Sequence, residues 1–185
     1  MNKKFKRIVA VIVSLAILSG VSVFGLSSLL KTLYPLDYAE LVEFYANENN
    51  LEVSFVFAVI NCESSYNPNA ISSADARGLM QITPDTFEWL QTKTGEDLEL
   101  DDLYDPEINI KYGCLFYGIL MDEFGIIETS IAGYHAGMNI VSQWLEDEQY
   151  SLDSINLDEI PYPSTADYVE KVMFTQIVYQ KLYGI

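Results

Sequence analysis

Apolar positions recur along this chain at helical rather than strand spacing. Ile8 to Leu30 holds no charged residue and no proline, and it comes after a basic start made by Lys3, Lys4, Lys6 and Arg7. A bilayer core takes about 20 apolar residues in helix, and a basic flank sets its own side in the cytoplasm. Residues 1–30 therefore read as a basic flank and transmembrane signal anchor, with the remainder of the chain extracytoplasmic. The alternative is secretion after cleavage of a signal peptide, although the apolar region of such peptides is usually only about 7–15 residues. Residues 31–36 form a connector, and 37–185 read as a single further domain.

Within that domain, Asp37-Tyr38-Ala39-Glu40 has the acidic variant of a capping box, and Tyr38, Leu41, Val42 and Tyr45 recur at helical period. Phe55 to Ile60 is apolar without interruption, so the helix it forms has no wet face and is buried all round. Ser54 is the candidate N-cap, and Asn67-Pro68 ends the segment, because proline disfavours helical geometry in the residue before it. Ile71 to Ile82 reads as a loop. Thr83-Pro84 and Asp105-Pro106 each pair a capping side chain with a first-turn proline. The first opens a helix through Phe87, Trp89 and Leu90 toward Gly95. The second opens one with Ile108, Tyr112, Leu115, Phe116 and Ile119 as its apolar face, stopped by Gly125. Gly113 and Gly118 are costly inside that helix unless another helix approaches closely. A further helix runs from about Ile126 to Ala136-Gly137. Asn139 is the candidate cap of the next, and Ser164 or Thr165 that of the last, with Tyr168, Val169, Val172, Met173 and Ile177 inward and Gly184 closing it. Glu96 to Leu103 reads as solvated and Glu146 to Pro163 as an acidic loop. The fold class expected is mainly α, with at most a minimal β element.

Composition narrows the chemistry. Half of the 185 residues are hydrophobic, enough for a sizeable core, and the formal net charge is −17. From Ile8 onward six Lys/Arg face 27 Asp/Glu. Such a surface repels nucleic acid phosphates, so no nucleic-acid partner is expected. Two cysteines and one histidine exclude a cysteine-based zinc site and a histidine-rich metal site. No phosphate-binding glycine loop appears, and no metal or cofactor is expected. Cys62 and Cys114 both fall on helices in a compartment that permits oxidation; a disulfide and two small buried thiols both remain open.

Glu63 falls in the last turn of the buried helix. Partial desolvation and the negative end of the helix dipole both disfavour its charged form, and a raised pKa suits a general acid near neutral pH. Taken alone, a carboxylate on an exposed helix rim is the better explanation. Further along the chain stand Arg77-Gly78-Leu79-Met80-Gln81-Ile82-Thr83-Pro84-Asp85-Thr86, then Gly133-Tyr134-His135-Ala136-Gly137, then Tyr168-Val169. With Glu63-Ser64 these elements resemble the soluble-lytic-transglycosylase family, whose lysozyme-like catalytic domain cleaves peptidoglycan. Asn109, Ile110, Gly113 and Tyr117 match it as well, and the likeness covers roughly Tyr34 to Tyr183.

The resemblance implies a single-carboxylate mechanism on the glycan strands of peptidoglycan. Glu63 would protonate the leaving glycosidic oxygen and then, as carboxylate, take the proton of the sugar's 6-hydroxyl as it closes a 1,6-anhydro ring. It further implies that Ser64, Met80, Gln81, Tyr134, His135 and Tyr168 bind substrate, with Tyr168 against the acid. Each has a plainer alternative, a backbone-bonded hydroxyl for Ser64 and core packing for Met80 and the tyrosines. Two departures from the family matter: His135 stands where Asn is usual, and Ser164 where a Glu often precedes Thr165. Asp75 stands where Gly is frequent, but Asp tolerates left-handed backbone. A hydrolase on the same fold would need a second carboxylate, for which Asp75 and Asp85 are the candidates. A non-catalytic wall-binding or assembly module is the reading from another class.

Overall fold

Residues 25–185 are described by the computed structural model, and the chain divides into two units, 1–35 and Leu36–Ile185. In the first, residues 25–33 are helical. The expected membrane span lies largely outside the described residues, and among those no helix is long and apolar enough to cross a membrane. The second unit contains helices α1 (Ala39–Glu48), α2 (Val53–Ser64), α3 (Pro84–Thr94), α4 (Pro106–Phe124), α5 (Ile127–Ala136), α6 (Met138–Glu146) and α7 (Pro163–Tyr183), with a 3-10 segment at Leu100–Tyr104. Among the described residues, β structure is limited to two isolated bridges that join Arg77 to Ile71 and to Ile82.

α2 is the axis of this unit. Every residue from Ser54 to Ile60 is buried, and each large apolar side chain so placed contributes about 1.5–3 kcal/mol. α7 packs along α2, with Phe57 stacked on Tyr179 at 5.6 Å, and Phe55 meets Tyr117 of α4 edge-on at 4.9 Å. A helix gripped on all sides delivers its C-terminal residues to a fixed place, and Glu63 is one of them.

Two of the proposed caps are present. Thr83 accepts from the Thr86 amide at 3.4 Å, and Asp105 accepts from the amides of Glu107 at 2.8 Å and Ile108 at 3.4 Å. The others are not. Tyr38, not Asp37, precedes α1, in left-handed backbone and without a side-chain cap. α2 starts at Val53, so Ser54 lies inside it, buried and with its hydroxyl unpartnered. The start is set from outside, because Glu52 accepts amide protons from Gln176 at 2.7 Å and Gln180 at 3.2 Å on α7. Asn139 falls within α6, after Gly137. α7 begins at Pro163, whose fixed φ suits the first helical position, which moves the start ahead of Ser164 and Thr165.

The buried face of α4 also differs from expectation. Ile110, Gly113, Cys114, Tyr117 and Leu120 are inside with Tyr112 and Phe116, whereas Ile108, Leu115 and Ile119 are only half-buried. The difference arises because α1, α3 and α5 all pack on α4 and because polar Asn109 is buried too. Gly113 is explained by the loop and not by another helix, since a Cβ there would collide with the Met80 side chain. Ile177 is exposed rather than inward, and Thr175, Gln176 and Tyr179 take the buried side of α7. The 96–103 stretch is only partly solvated, since Leu103 is fully buried and Glu96 binds Lys111 at 2.6 Å and Tyr112 at 2.8 Å. Cys62 and Cys114 are free thiols: Cys62 points at the Thr175 hydroxyl at 3.5 Å, while Cys114 is sealed in the α4 core.

Candidate active site

Glu63 occupies the last turn of α2, one residue before its end, and is half-buried. Burial raises its pKa from the usual carboxylate value to about 7, against the opposing pull of the Tyr168 hydroxyl and of the Lys171 ammonium. Tyr168 donates to Glu63 Oε1 at 2.5 Å, a bond that favours the carboxylate form. Lys171, one turn further along α7, donates to the Cys62 carbonyl at 2.9 Å. It places positive charge at the negative end of α2, where the macrodipole favours it. The carboxyl is thus poised so that both protonation states are populated near neutrality.

The loop after α2 is built as a bracket. Asp75 has φ 59° and Gln81 φ 52°, so the position where the family favours Gly does adopt left-handed backbone. Arg77 binds Asp75 at 3.0 Å and Asp101 at 2.7 Å. Asn109 on α4 ties the loop down from inside: its Oδ1 accepts from the Met80 amide at 2.7 Å, and its Nδ2 donates to the carbonyls of Arg77 at 2.9 Å and Leu103 at 2.8 Å. Ser64 donates to the Leu79 carbonyl at 2.8 Å, fastening the loop to the catalytic helix, so its hydroxyl proton serves structure. Gln81 Nε2 donates to the carbonyls of Gly78 at 3.0 Å and Ala70 at 3.2 Å, which leaves the amide oxygen as its group for a ligand. Met80 is wholly buried against Gly113; it supports the site from beneath instead of lining it.

A line of tyrosines backs Glu63. Tyr168 approaches the Tyr117 hydroxyl at 3.4 Å, and Tyr117 stacks face to face on Tyr134 with centroids 4.1 Å apart. Tyr134 donates to the Met80 carbonyl at 2.7 Å. Burial lifts all three phenols well above their ordinary pKa, so they remain neutral donors. His135 stacks on Tyr168 at 4.7 Å, and its Nδ1 lies 3.0 Å from the Thr165 hydroxyl. Partial burial lowers its pKa, so the imidazole is neutral at neutral pH. Asp75 is engaged with Arg77 and Asp85 is exposed; neither is among the groups acting on Glu63.

The transglycosylase SLT domain matches residues 40–156, a stretch that carries Glu63, the Gly78–Gln81 loop and Tyr134. The chain belongs to this family. The soluble lytic murein transglycosylase of Escherichia coli (strain K12) is 30% identical over 163 residues, 84% of this chain and 25% of that protein. The crystal structure of the 70 kDa soluble lytic transglycosylase of Escherichia coli superposes with a TM-score of 0.74 at 29% identity, covering 84% of this chain and 26% of the other. An inactive Glu-to-Gln mutant of the Pseudomonas aeruginosa lytic transglycosylase Slt gives a TM-score of 0.69 at 28% identity, covering 80% of this chain and 25% of the other. The chain therefore spans about a quarter of the length of these relatives.

The resemblance in sequence brings Glu63 and Tyr168 together and singles out the loop. It assigns no role in the SLT domain to Tyr117, Asn109 or Lys171. Asn109 and Tyr117 stand in the sequence only as matching positions, and a buried Asn in an apolar helix is the signal that singles out the first. For Lys171 the available signal is a cation one turn after Tyr168.

A hollow of about 420 Å³ is lined by Phe55, Met121, Met173 and Ile177 around Glu52. Glu52 stands at the other end of α2, about 16 Å from Glu63 by helical rise, and the hollow lies apart from the catalytic groups.

Proposed function

We propose that this protein is a peptidoglycan lytic transglycosylase. It cleaves the β-1,4 bond between N-acetylmuramic acid and N-acetylglucosamine and leaves 1,6-anhydro-N-acetylmuramic ends. The observation that carries this reading is the solitary, half-buried Glu63 with its pKa near 7 and its Tyr168 partner. Protonated Glu63 gives its proton to the glycosidic oxygen as the C1–O bond breaks. The carboxylate so formed takes the proton of the 6-hydroxyl as that oxygen bonds to C1, and Glu63 returns to its starting state. One group serves both steps because a carboxyl balanced near neutral pH can act as acid and as base. The Tyr168 hydroxyl and the Lys171 charge stabilise the intermediate carboxylate, while burial restores the acid.

Ser64 and Met80 hold the bracket, and the Gln81 amide oxygen, Tyr134 and His135 face the sugars. The partner is the glycan strand, reached outside the cell from an N-terminal membrane anchor at residues 1–30. The inactive glutamine mutant of the Pseudomonas aeruginosa relative supports an essential glutamate. Digestion of purified peptidoglycan, read by mass spectrometry, tests the reading: anhydro ends lighter by one water are expected. Hydrated reducing ends in their place would make the protein a hydrolase, and no cleavage at all would leave a wall-binding module.

A further inference from the structure

His135 is the single histidine of the chain. Its ring lies against Tyr168 of α7, with centroids 4.7 Å apart and planes inclined by 26°. The hydroxyl of the same tyrosine donates to Glu63. One side chain is thus stacked on the imidazole by its face and bonded to the catalytic carboxyl by its edge. The ring is fixed from a second side, because its Nδ1 lies 3.0 Å from the hydroxyl of Thr165, which is buried. An amide at position 135 could bond the same hydroxyl. What it could not do is gain a charge within the working pH range, as imidazole does. His135 is exposed, so it exchanges protons freely with solvent.

α5, which carries His135, packs on α4, α6 and α7. The titratable groups on the ring's side are Tyr168 and, behind it, Tyr117 of α4 and Glu63 of α2, with Lys171 of α7 acting on Glu63. Burial displaces the imidazole pKa downward from its ordinary 6.5. Among the described residues, no carboxylate acts to hold the ring in its charged form.

We propose that His135 is a positioning residue that links a second proton to the reaction through Tyr168, so that cleavage is carried by the neutral ring and suppressed by the charged one. An imidazolium stacked on an aromatic face is attracted by the ring quadrupole and draws electron density from the phenol. The Tyr168 hydroxyl then donates more strongly to Glu63, and the new positive charge adds to that of Lys171; both effects favour the carboxylate. In that state Glu63 is a poorer base for the 6-hydroxyl. A positive charge one ring away also opposes the oxocarbenium character that builds at the anomeric carbon. The proposal rests on the glycan-cleaving reading and adds the acidic side of its pH response. Ionisation of Glu63 ends turnover on the alkaline side, and protonation of His135 lowers it as pH falls through the imidazole's own midpoint.

The test takes two measurements on the full chain. With one histidine present, an NMR titration of the imidazole signals gives its midpoint without ambiguity. Release of anhydro ends from purified peptidoglycan, followed from about pH 4 to pH 9, spans the range in which carboxyl and imidazole groups titrate. The midpoint of the acidic limb should coincide with the NMR midpoint, and the rate below it should lie about tenfold under the maximum, the weight of one pKa unit. His135→Asn, neutral throughout, should lose the acidic limb and keep the alkaline one near pH 7. His135→Arg places a planar cation that stacks on tyrosine at any pH, and should show the depressed rate throughout with no acidic limb. A merely structural role would scale the whole profile and leave both midpoints in place. An acidic limb that persists in His135→Asn, is absent from the wild type, or departs from the imidazole midpoint would overturn the coupling while the glycan reading stands. No anhydro ends from the wild-type protein at any pH would overturn the glycan reading itself, and this proposal with it.

Discussion

A carboxyl that must give up a proton and take one back within a single turnover has to be balanced, and at Glu63 the balance is visible residue by residue. Burial pushes the pKa up, while Tyr168 and Lys171 pull it down, with the result near 7. Turnover should therefore decline as pH rises through about 7, as the proton-donating form is lost. Tyr168→Phe removes a donor that favours the carboxylate, so the alkaline limb of the rate–pH profile should move to higher pH while the rate maximum falls. Glu63→Gln should cost activity by at least about 10²–10⁴-fold, the usual weight of one proton-transfer group, measured as anhydro-end release. The same variant bears on stability. Unfolded, Glu63 ionises above about pH 4.5; folded, only above about 7. Between those values the folded state binds more protons, so wild-type stability falls across that window, by at most about 3 kcal/mol. Urea titrations of Glu63→Gln should lack this component and show equal or greater stability at pH 8. Glu63 could be found in the sequence because the Gly78–Gln81, Gly133–Gly137 and Tyr168-Val169 elements follow it; the apolar run before it places it only at the end of a buried helix. Lys171 could not, because its role depends on α7 lying along α2, which local spacing does not encode.

At the scale of elements, a polar side chain inside α4 governs the shape of the loop below the cleft. Asn109→Ala would leave the Met80 amide and the carbonyls of Arg77 and Leu103 without this partner. At about 1–3 kcal/mol for each buried group left unsatisfied, a loss of at least about 2 kcal/mol is expected by urea denaturation. Turnover of the remaining folded protein should fall as well, because Gln81 and the carbonyl that holds Tyr134 ride on that loop. Gly113→Ala forces a methyl against Met80 and should cost about 1–3 kcal/mol, with Met80→Ala in the same chain recovering part of it. The helix caps separate what can be foreseen from what cannot. Thr83 and Asp105 were legible because each precedes a proline that fixes the register by itself. Ser54, Asn139 and Thr165 are equally good capping residues by type, yet Glu52 reaching to α7, the break at Gly137 and Pro163 set those starts. A cap can be read where the capping side chain and a first-turn proline agree; at α6 and α7 a neighbouring Gly137 or Pro163 sets the start instead of the better capping side chain, and at α2 a distant helix does.

Across the whole chain, charge and thiols carry the remaining consequences. The basic residues at the start and the uncharged run behind them predict that protein recovered from membranes keeps its N-terminus; recovery only as a soluble form trimmed near residues 25–30 would reverse that expectation. The helical class was legible from spacing alone, whereas the order of packing around α2 was not, since an all-apolar stretch states that it is buried but not by what. The absence of a Cys62–Cys114 bond makes each sulfur a separate reporter. Cys114 is fully buried, with its ionisation suppressed by that burial, so an alkylating reagent reaches it only when the core opens. Its labelling rate under native conditions should consequently track global unfolding, slowing in step with added stability. Cys62, half-buried beside Glu63, should label faster and slow on sugar binding. The domain thus contains its own kinetic clock for breathing, readable by mass in a reducing buffer and without any introduced probe.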